Sequence, residues 1–441
     1  MTGEGRSTKT VMSRTDAILK RLTALYPRFM DLDLARERRL LDKLGNPELR
    51  LPPVIHVAGT NAKGSTIAYL RAMLEAAGKK VHVYTSPHLV HFNERVRLAG
   101  KLVSTRRINA ALEHVERINA GTPITQFEIT TSAALMLFAE TPADYLLLEV
   151  GLGGDFDSTN VIDHPLGTII TPVDFDHQKW LGYSIEEIAF HKAGILKRGA
   201  PAVIGRQRDE GLAAIEREAA KLKVTPFVQG RDYDGYAQDG RLVYQDEDGL
   251  LDLPPPALIG HHQFDNAAIA VAAVRHFQLP VSEAEIAEGL RTVVWPARIQ
   301  PLKGRLRDRL PESSELWLDG AHNAHGAAAL ARSLEEMNVA RPKPLVLILG
   351  MMNTREPRDF LEPFKPMQPK VLTLTIPGEE NAHKAGYIAY EAKAAGFDAR
   401  AYRALGQAID EAAKVEGARV VICGSLYLGG YVLDRNGTPP D

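Results

Sequence analysis

Cysteine is nearly absent from these 441 residues, with Cys423 standing alone. One thiol makes no internal disulfide, and inside the apolar run 420–423 it reads as a buried side chain. No apolar run reaches membrane-spanning length. The opening residues, MTGEGRSTKTVMSRT, lack the apolar stretch of a secretory leader. An excess of one charge is missing too. With 53 Lys+Arg against 55 Asp+Glu the formal charge is -2, which argues against a nucleic-acid surface built on bulk charge. No tandem repeat is present. A soluble cytoplasmic protein is expected, and the chain is too long for one core, so two domains or more are expected.

What is present centres on residues 54–66, VIHVAGTNAKGST. Apolar residues lead into a tight polar loop, and 67–77 then reads as a helix with Ile67, Leu70, Met73 and Leu74 on one face. A strand that opens through such a loop into a helix is built to hold phosphate. Backbone N–H groups converge on the anion, and the helix start adds its dipole. Gly59, Thr60, Asn61, Gly64 and Ser65 form the cradle, and Lys63 brings a point charge to the outer phosphates. Ser65 or Thr66 is placed to cap the helix or approach a metal. The common phosphate-loop pattern has Gly directly before this Lys. Ala62 stands there instead, so an ordinary βα turn of small residues is the competing reading.

The rest of the chain alternates short apolar runs with helical stretches. Residues 81–84, 145–150, 168–171 and 202–204 read as buried strands, and 108–118, 130–139 and 212–221 as helices. That rhythm predicts a parallel sheet covered by helices on both faces. Upstream, 16–44 carries helical spacing behind a loose tail of about a dozen residues. Residues 232–253 break the rhythm and predict a small hairpin insertion. Residues 293–301, VVWPARIQP, read as a hinge. Strands at 316–318, 345–349, 371–374 and 420–423, with a helix at 327–337, predict a second, smaller α/β domain.

Polar residues gather where the strands end, which is the ligand edge of an open α/β sheet. Glu149 closes the strand before GLGGDFDSTN and can bind Mg²⁺ directly or through water. A dinucleotide loop is excluded there, since Phe156 occupies the last glycine position of the pattern. Asp174, Asp176 and His177 cluster in TPVDFDH, which points to metal work, although imidazole is not a favoured Mg²⁺ donor. Lys192 in HKAGI reads as a solvated helix lysine on composition alone. GHHQFDNA at 260–267 opens an apolar helix, with Gln263 a plausible cap. LDGAHNAH at 318–325 puts Asp319 at a strand end and His322 in the turn. GSLY at 424–427 follows the last strand.

GTNAKGS, followed by YTSPHLVHFNERVRLAG at 84–100, resembles the folylpolyglutamate synthase/dihydrofolate synthase family in its bacterial bifunctional type. That family belongs to the wider Mur-type ATP-dependent amide ligases. The similarity runs, with gaps, from about residue 18 to 430. It implies an α/β fold in two parts. Residues 1–297 form a P-loop-type ATPase domain with a mostly parallel sheet, binding ATP and pteroate or folate. Residues 298–441 form a smaller Rossmann-like domain that ligates glutamate. The implied partners are ATP, L-glutamate, dihydropteroate and reduced folates, acting on a monomer without nucleic acid or membrane.

The resemblance also implies site roles. Ser86 and Glu149 hold one Mg²⁺ and His177 a second, joined by Lys192, whose counterpart is often carbamylated. Asn266, Arg298 and Asp319 contact ATP, with the loop 59–65. Lys63, Lys192 and His322 serve the chemistry, His322 as candidate base for the amine. Phe127, Asp157, Ser425 and Tyr427 face the acceptor and the incoming glutamate. Three positions depart from the family: Ala62 for Gly, Asp155 for a basic residue, and Ala324 for Pro. Two other readings are a Mur-type ligase of a cell-wall nucleotide–peptide, which usually carries a further domain before its phosphate loop, and a nucleotide-dependent switch that ligates nothing.

Overall fold

The computed structural model describes residues 13–25 and 33–441. The foreseen N-terminal tail and the YPRFMDL stretch lie outside the described residues. The first sheet contains β1 (Val54–Ala58), β2 (Val81–Tyr84), β3 (Val96–Leu98), β4 (Lys101–Leu102), β5 (Tyr145–Glu149), β6 (Gly167–Ile170), β7 (Ala202–Ile204) and β8 (Pro226–Val228). Their order is β4-β3-β2-β5-β1-β6-β7-β8. β1 runs parallel to both neighbours, β5 and β6, while β3 and β4 add an antiparallel edge. Every residue of β1 is buried, as expected for a central parallel strand covered on both faces. The edge ladder β3–β4 was not foreseen. Its strands are too short to show a period.

The helix Lys63–Ala76 buries 10 of its 14 residues. It packs on β1 on one side and against the helices His262–His276 and Glu283–Thr292 on the other. One apolar face was expected, but enclosure on several sides explains why small and apolar residues surround it. The insertion has three strands rather than two: β9 (Tyr233–Gln238), β10 (Arg241–Asp246) and β11 (Gly249–Leu253), all antiparallel. Tyr233, Leu242, Tyr244 and Leu253 share a core with Ala267–Val274 of the neighbouring helix.

The second sheet contains β12 (Gln300–Pro301), β13 (Glu315–Leu318), β14 (Leu345–Leu349), β15 (Lys370–Thr373), β16 (Ala399–Ala401) and β17 (Arg419–Cys423). The order is β12-β13-β17-β14-β15-β16, parallel except for β12. Cys423 is 1% exposed, and burial pushes its thiol well above the ordinary range, so it is inert packing. The two sheets are joined beyond the hinge. Leu89 and Val90, from the loop after β2, pack into the second sheet's core. A Cβ on Gly430 would lie 1.8 Å from the Leu89 carbonyl, so glycine lets the helix Leu426–Asn436 seat on that loop. The Glu94 carboxylate stiffens the loop by accepting the N–H groups of Leu89, Val90 and His91. Among the described residues no helix is long and apolar enough to cross a membrane.

Candidate active site

Strand register delivers the chemistry to one edge. Val57 of β1 stands beside Glu149 of β5, and Ala58 beside Ile170 of β6. The loops after β1, β5 and β6 therefore leave the sheet side by side. They form one wall of a cleft of about 710 Å³, and loops of the second sheet form the other. The candidate residues named from the sequence line this cleft, except Thr66, Asp174 and Asn323. Lining does not by itself assign a role, and the contacts differ from residue to residue.

Gly59 has φ +147°, and a Cβ there would lie 1.8 Å from Thr171 Oγ1. That hydroxyl bonds the Asn61 carbonyl at 2.6 Å, tying the phosphate-type loop to the strand beside it. Thr60 Oγ1 donates to the Asp174 carbonyl at 2.9 Å. Lys63 folds back over the loop, its Nζ 3.1 Å from the Gly59 carbonyl and 3.9 Å from Glu149 Oε1. Ala62 caps the helix with φ +71°, a region that costs a residue with Cβ about 1 kcal/mol relative to glycine. Ala62→Gly is expected to raise the unfolding free energy by about that amount, read by urea denaturation. Unchanged or lower stability would show the loop is not strained there.

Glu149 is buried, and burial raises its carboxyl against the opposing pull of Lys63. Its Oε2 accepts the Ser86 N–H at 3.1 Å. Lys192 is buried as well, not a solvated helix lysine, and its Nζ donates to the Gly59 carbonyl at 2.9 Å. Burial, with the Lys63 cation nearby, pushes this ammonium down to about 7. The expected Asp174, Asp176 and His177 cluster does not converge. Asp174 pairs with Arg208 at 3.1 Å. Asp176 turns across the cleft to Arg355 and to Asn323 Nδ2 at 3.2 Å. Burial opposes its charge, but His177, Arg355 and His322 hold its carboxyl below the ordinary range. His177 adopts φ +50° at the end of this turn.

The hinge aims Arg298 into the cleft. Ala297 and Ile299 flank it with φ of +54° and +42°, which is costly for a β-branched residue. Asp319 sustains that geometry by accepting the Ile299 N–H at 2.8 Å, and Gly320 N–H bonds the Ala297 carbonyl at 2.9 Å. The His322 Nδ1 faces the Gly320 carbonyl at 2.9 Å. A carbonyl only accepts, so Nδ1 carries the proton and Nε2 keeps its lone pair. Asn323 caps the helix Ala324–Ala340 through Oδ1, and its Nδ2 reaches Asn61 Oδ1 at 3.2 Å. Asn61 also meets His325 Nδ1 at 2.7 Å. Asn266 donates to Gln263 Oε1 at 3.1 Å, which orients it and keeps its own carbonyl for a ligand. Ser425 is the cap of Leu426–Asn436, and Tyr427 beside it is 45% exposed.

On the opposite side the Phe127 ring lies against Gly151, where a Cβ would be 2.4 Å from Cζ. Asp157 is buried and already engaged. Its Oδ2 accepts Gly151 and Leu152 N–H at 3.1 and 2.8 Å, and its Oδ1 accepts from Thr159. A direct bond to substrate must share Oδ2 with that turn. Asp155 does not point at an anion either, since it pairs with His191 Nδ1 at 2.8 Å. Arg355 and His325 were missed from the sequence, whereas Asn323 was expected at the cleft and reaches across it to Asn61 and Asp176. Arg355 follows β14 just as Glu149 ends β5, and a charged residue after a strand was the available signal.

A family model, dihydrofolate synthetase, C-terminal domain, matches residues 304–435. The chain is 32% identical to the dihydrofolate synthase/folylpolyglutamate synthase of Escherichia coli (strain K12), covering 94% of each chain. It is 36% identical over 321 residues to that of Bacillus subtilis (strain 168), covering 69% of this chain and 72% of the other. The chain belongs to the dihydrofolate synthase/folylpolyglutamate synthase family. Solved structures agree. Escherichia coli FolC in complex with DHPP and ADP superposes with a TM-score of 0.84 at 30% identity, covering 95% of this chain and 96% of that one. The Yersinia pestis bifunctional enzyme complexed with AMPPNP and Mn ion gives 0.85 at 29%, covering 98% and 99%.

Membership of the dihydrofolate synthase/folylpolyglutamate synthase family makes the protein an ATP-dependent ligase with the two-part Mur-type architecture, and the donor set can be weighed accordingly. Among the described residues no three His, Cys, Asp or Glu side chains converge as a closed metal cage. Glu149 fits a cation nonetheless, since its carboxylate lines the cleft with Oε1 3.9 Å from the Lys63 ammonium. One carboxylate completed by phosphate oxygens and water is the usual Mg²⁺ arrangement.

Proposed function

We propose that this ligase joins the amine of L-glutamate to the carboxylate of dihydropteroate, and to that of reduced folates, through an acyl phosphate. The observation that carries the reading is the facing of two charge sets across one cleft. Lys63, Glu149 and Lys192 stand on the first sheet's loops, and Arg298, His322, Arg355 and Ser425 on the second's. Residues 1–297 take ATP and the pteroate acid, and residues 298–441 bring in glutamate. One chain supplies both walls, in keeping with a cytoplasmic monomer.

The acceptor carboxylate attacks the γ-phosphorus and ADP leaves. Glutamate's neutral amine then attacks the acyl carbon, phosphate departs, and the amine proton passes to a base. Lys63 and Arg298 stabilise the charge on the transferred group, and closure of the second domain excludes water. His322 Nε2, with its free lone pair, is the base for the amine. Glu149 and Ser86 would hold one Mg²⁺, with His177 and Lys192 toward a second. Bound metal would neutralise charge on the phosphates. Carbamylation of Lys192 needs the neutral amine, and a lysine pushed down to about 7 supplies it. Asn266 and Asp319 serve the nucleotide, and Phe127 and Asp157 the pterin side.

Arg355, which lines the same cleft as Ser425 and Tyr427, exchanges Asp176 for a glutamate carboxylate. Arg355→Ala is expected to raise KM for glutamate by about 10- to 100-fold with little change in KM for ATP. Equal rises in both would refute that assignment. The reaction itself is tested by phosphate release from ATP and Mg²⁺ with L-glutamate, comparing dihydropteroate with tetrahydrofolate. Release with both marks a bifunctional enzyme, and release with one marks the single activity. Silence with both would overturn the proposal.

A further inference from the structure

Below the pterin side of the cleft lies a line of side chains that the reaction leaves unexplained. His56 sits in the middle of β1 with no exposed surface. Its Nε2 is 2.8 Å from Thr159 Oγ1, and that hydroxyl is 2.5 Å from Asp157 Oδ1. A carboxylate only accepts, so the single Thr159 proton goes to Asp157. Thr159 Oγ1 must then accept from His56, which selects the Nε2–H tautomer. Burial holds the ring neutral, down to about 3. Nδ1 is left as a buried acceptor without a partner among the described residues. Such an atom costs stability that an apolar side chain would not lose. The other four residues of β1 are apolar. Packing alone therefore does not account for a histidine here.

The two oxygens of Asp157 are unequal. Oδ1 is anchored by the Thr159 hydroxyl and by its N–H at 3.0 Å. Oδ2 is held by the N–H groups of Gly151 and Leu152, in a turn that lines the cleft. Fixing Oδ1 fixes how Oδ2 and that turn are presented. We propose that His56 and Thr159 are positioning residues for the acceptor: they orient Asp157 toward the 2-amino and ring N–H donors of a 2-amino-4-oxopteridine. The inference rests on the folate-ligase reading.

Steady-state kinetics of the full chain with dihydropteroate or tetrahydrofolate test it, whichever the wild type uses. His56→Leu and Thr159→Val are each expected to raise KM for the acceptor about tenfold, the effect of losing a hydrogen bond to a charged group. KM for ATP should stay within about twofold. His56→Gln, whose amide N–H reaches Thr159, and Thr159→Ser, which keeps the hydroxyl, should return to within about threefold of wild type. The double variant His56→Leu/Thr159→Val should be no worse than Thr159→Val, because both break the same line. If His56→Leu does not fold, the Thr159→Val and Thr159→Ser pair decides. An unchanged acceptor KM, or equal rises for acceptor and ATP, would overturn the inference alone. A wild type silent with both acceptors would overturn it together with the folate reading.

Discussion

Lys63→Met is expected to lower kcat by about a thousandfold while the protein stays folded. The side chain opens the helix Lys63–Ala76 and lies over its own loop. Methionine keeps the unbranched shape and most of the volume, so packing changes little. What is lost is the charge. The ammonium now rests on two neutral carbonyls, of Gly59 at 3.1 Å and Thr60 at 3.3 Å. Phosphate oxygens make stronger, charge-assisted partners, so the lysine is poised to exchange one set for the other. The penalty should fall on kcat more than on ADP affinity, because charge grows on the transferred group. Lys63→Arg should recover only part of the rate, since a planar fork does not replace a point charge in a tight loop. Phosphate-release kinetics and calorimetry with ADP check both statements. A methionine variant within tenfold of wild type would remove Lys63 from the transfer step.

Lys192→Met is expected to give a protein that is more stable than wild type near pH 7 and nearly inactive. Lys192 is 5% exposed, and its ammonium is pushed from 10.5 down to about 7. Between those values the unfolded chain holds a proton that the folded chain lacks. Wild-type stability therefore rises as pH rises through that window. Below about 7 the full cost of burying the charge is felt, on the order of a few kcal/mol. Methionine removes that cost, so the variant's advantage should be largest at pH 7 and below and shrink toward pH 10. Urea denaturation at pH 6, 8 and 10 reads the difference. Parallel curves for the two proteins would show that Lys192 is not a depressed lysine. Activity should fall by at least about a hundredfold, the scale for losing a preorganised charged group. Mass spectrometry at saturating bicarbonate then asks whether wild-type Lys192 carries CO₂. An unmodified lysine would remove the carbamate from the mechanism.

Much of this site is legible in the linear chain. VIHVAGTNAKGST announces a strand, a phosphate-type loop and a helix. Apolar runs ending in Glu149, Asp319 and Ser425 announce the working edges of two sheets. Those signals are local, because a buried parallel strand needs an unbroken apolar run and its ligand edge lies where the run stops. Pairings between distant segments are not local. Asp174 and Asp176 are two residues apart and look alike, yet one turns to Arg208 and the other crosses the cleft to Arg355. Lys192 looks like a surface lysine until β1 places the Gly59 carbonyl against it. Asp155 finds His191 only because the loop after β5 packs on the end of the helix Ile185–Ala193.

The sequence by itself determined the fold class, the phosphate-type loop and the residues that reach the strand ends. All of these follow from runs of hydrophobicity and from turn chemistry within about a dozen neighbours. Only the tertiary structure decided how those residues are charged and aimed. Burial set the neutral bias of Lys192, and Asp319 sustained the backbone that turns Arg298 inward. Thr159 chose the tautomer of His56. The physical reason is that desolvation and hydrogen-bond direction depend on what surrounds a group in space, and chain order does not encode those surroundings locally.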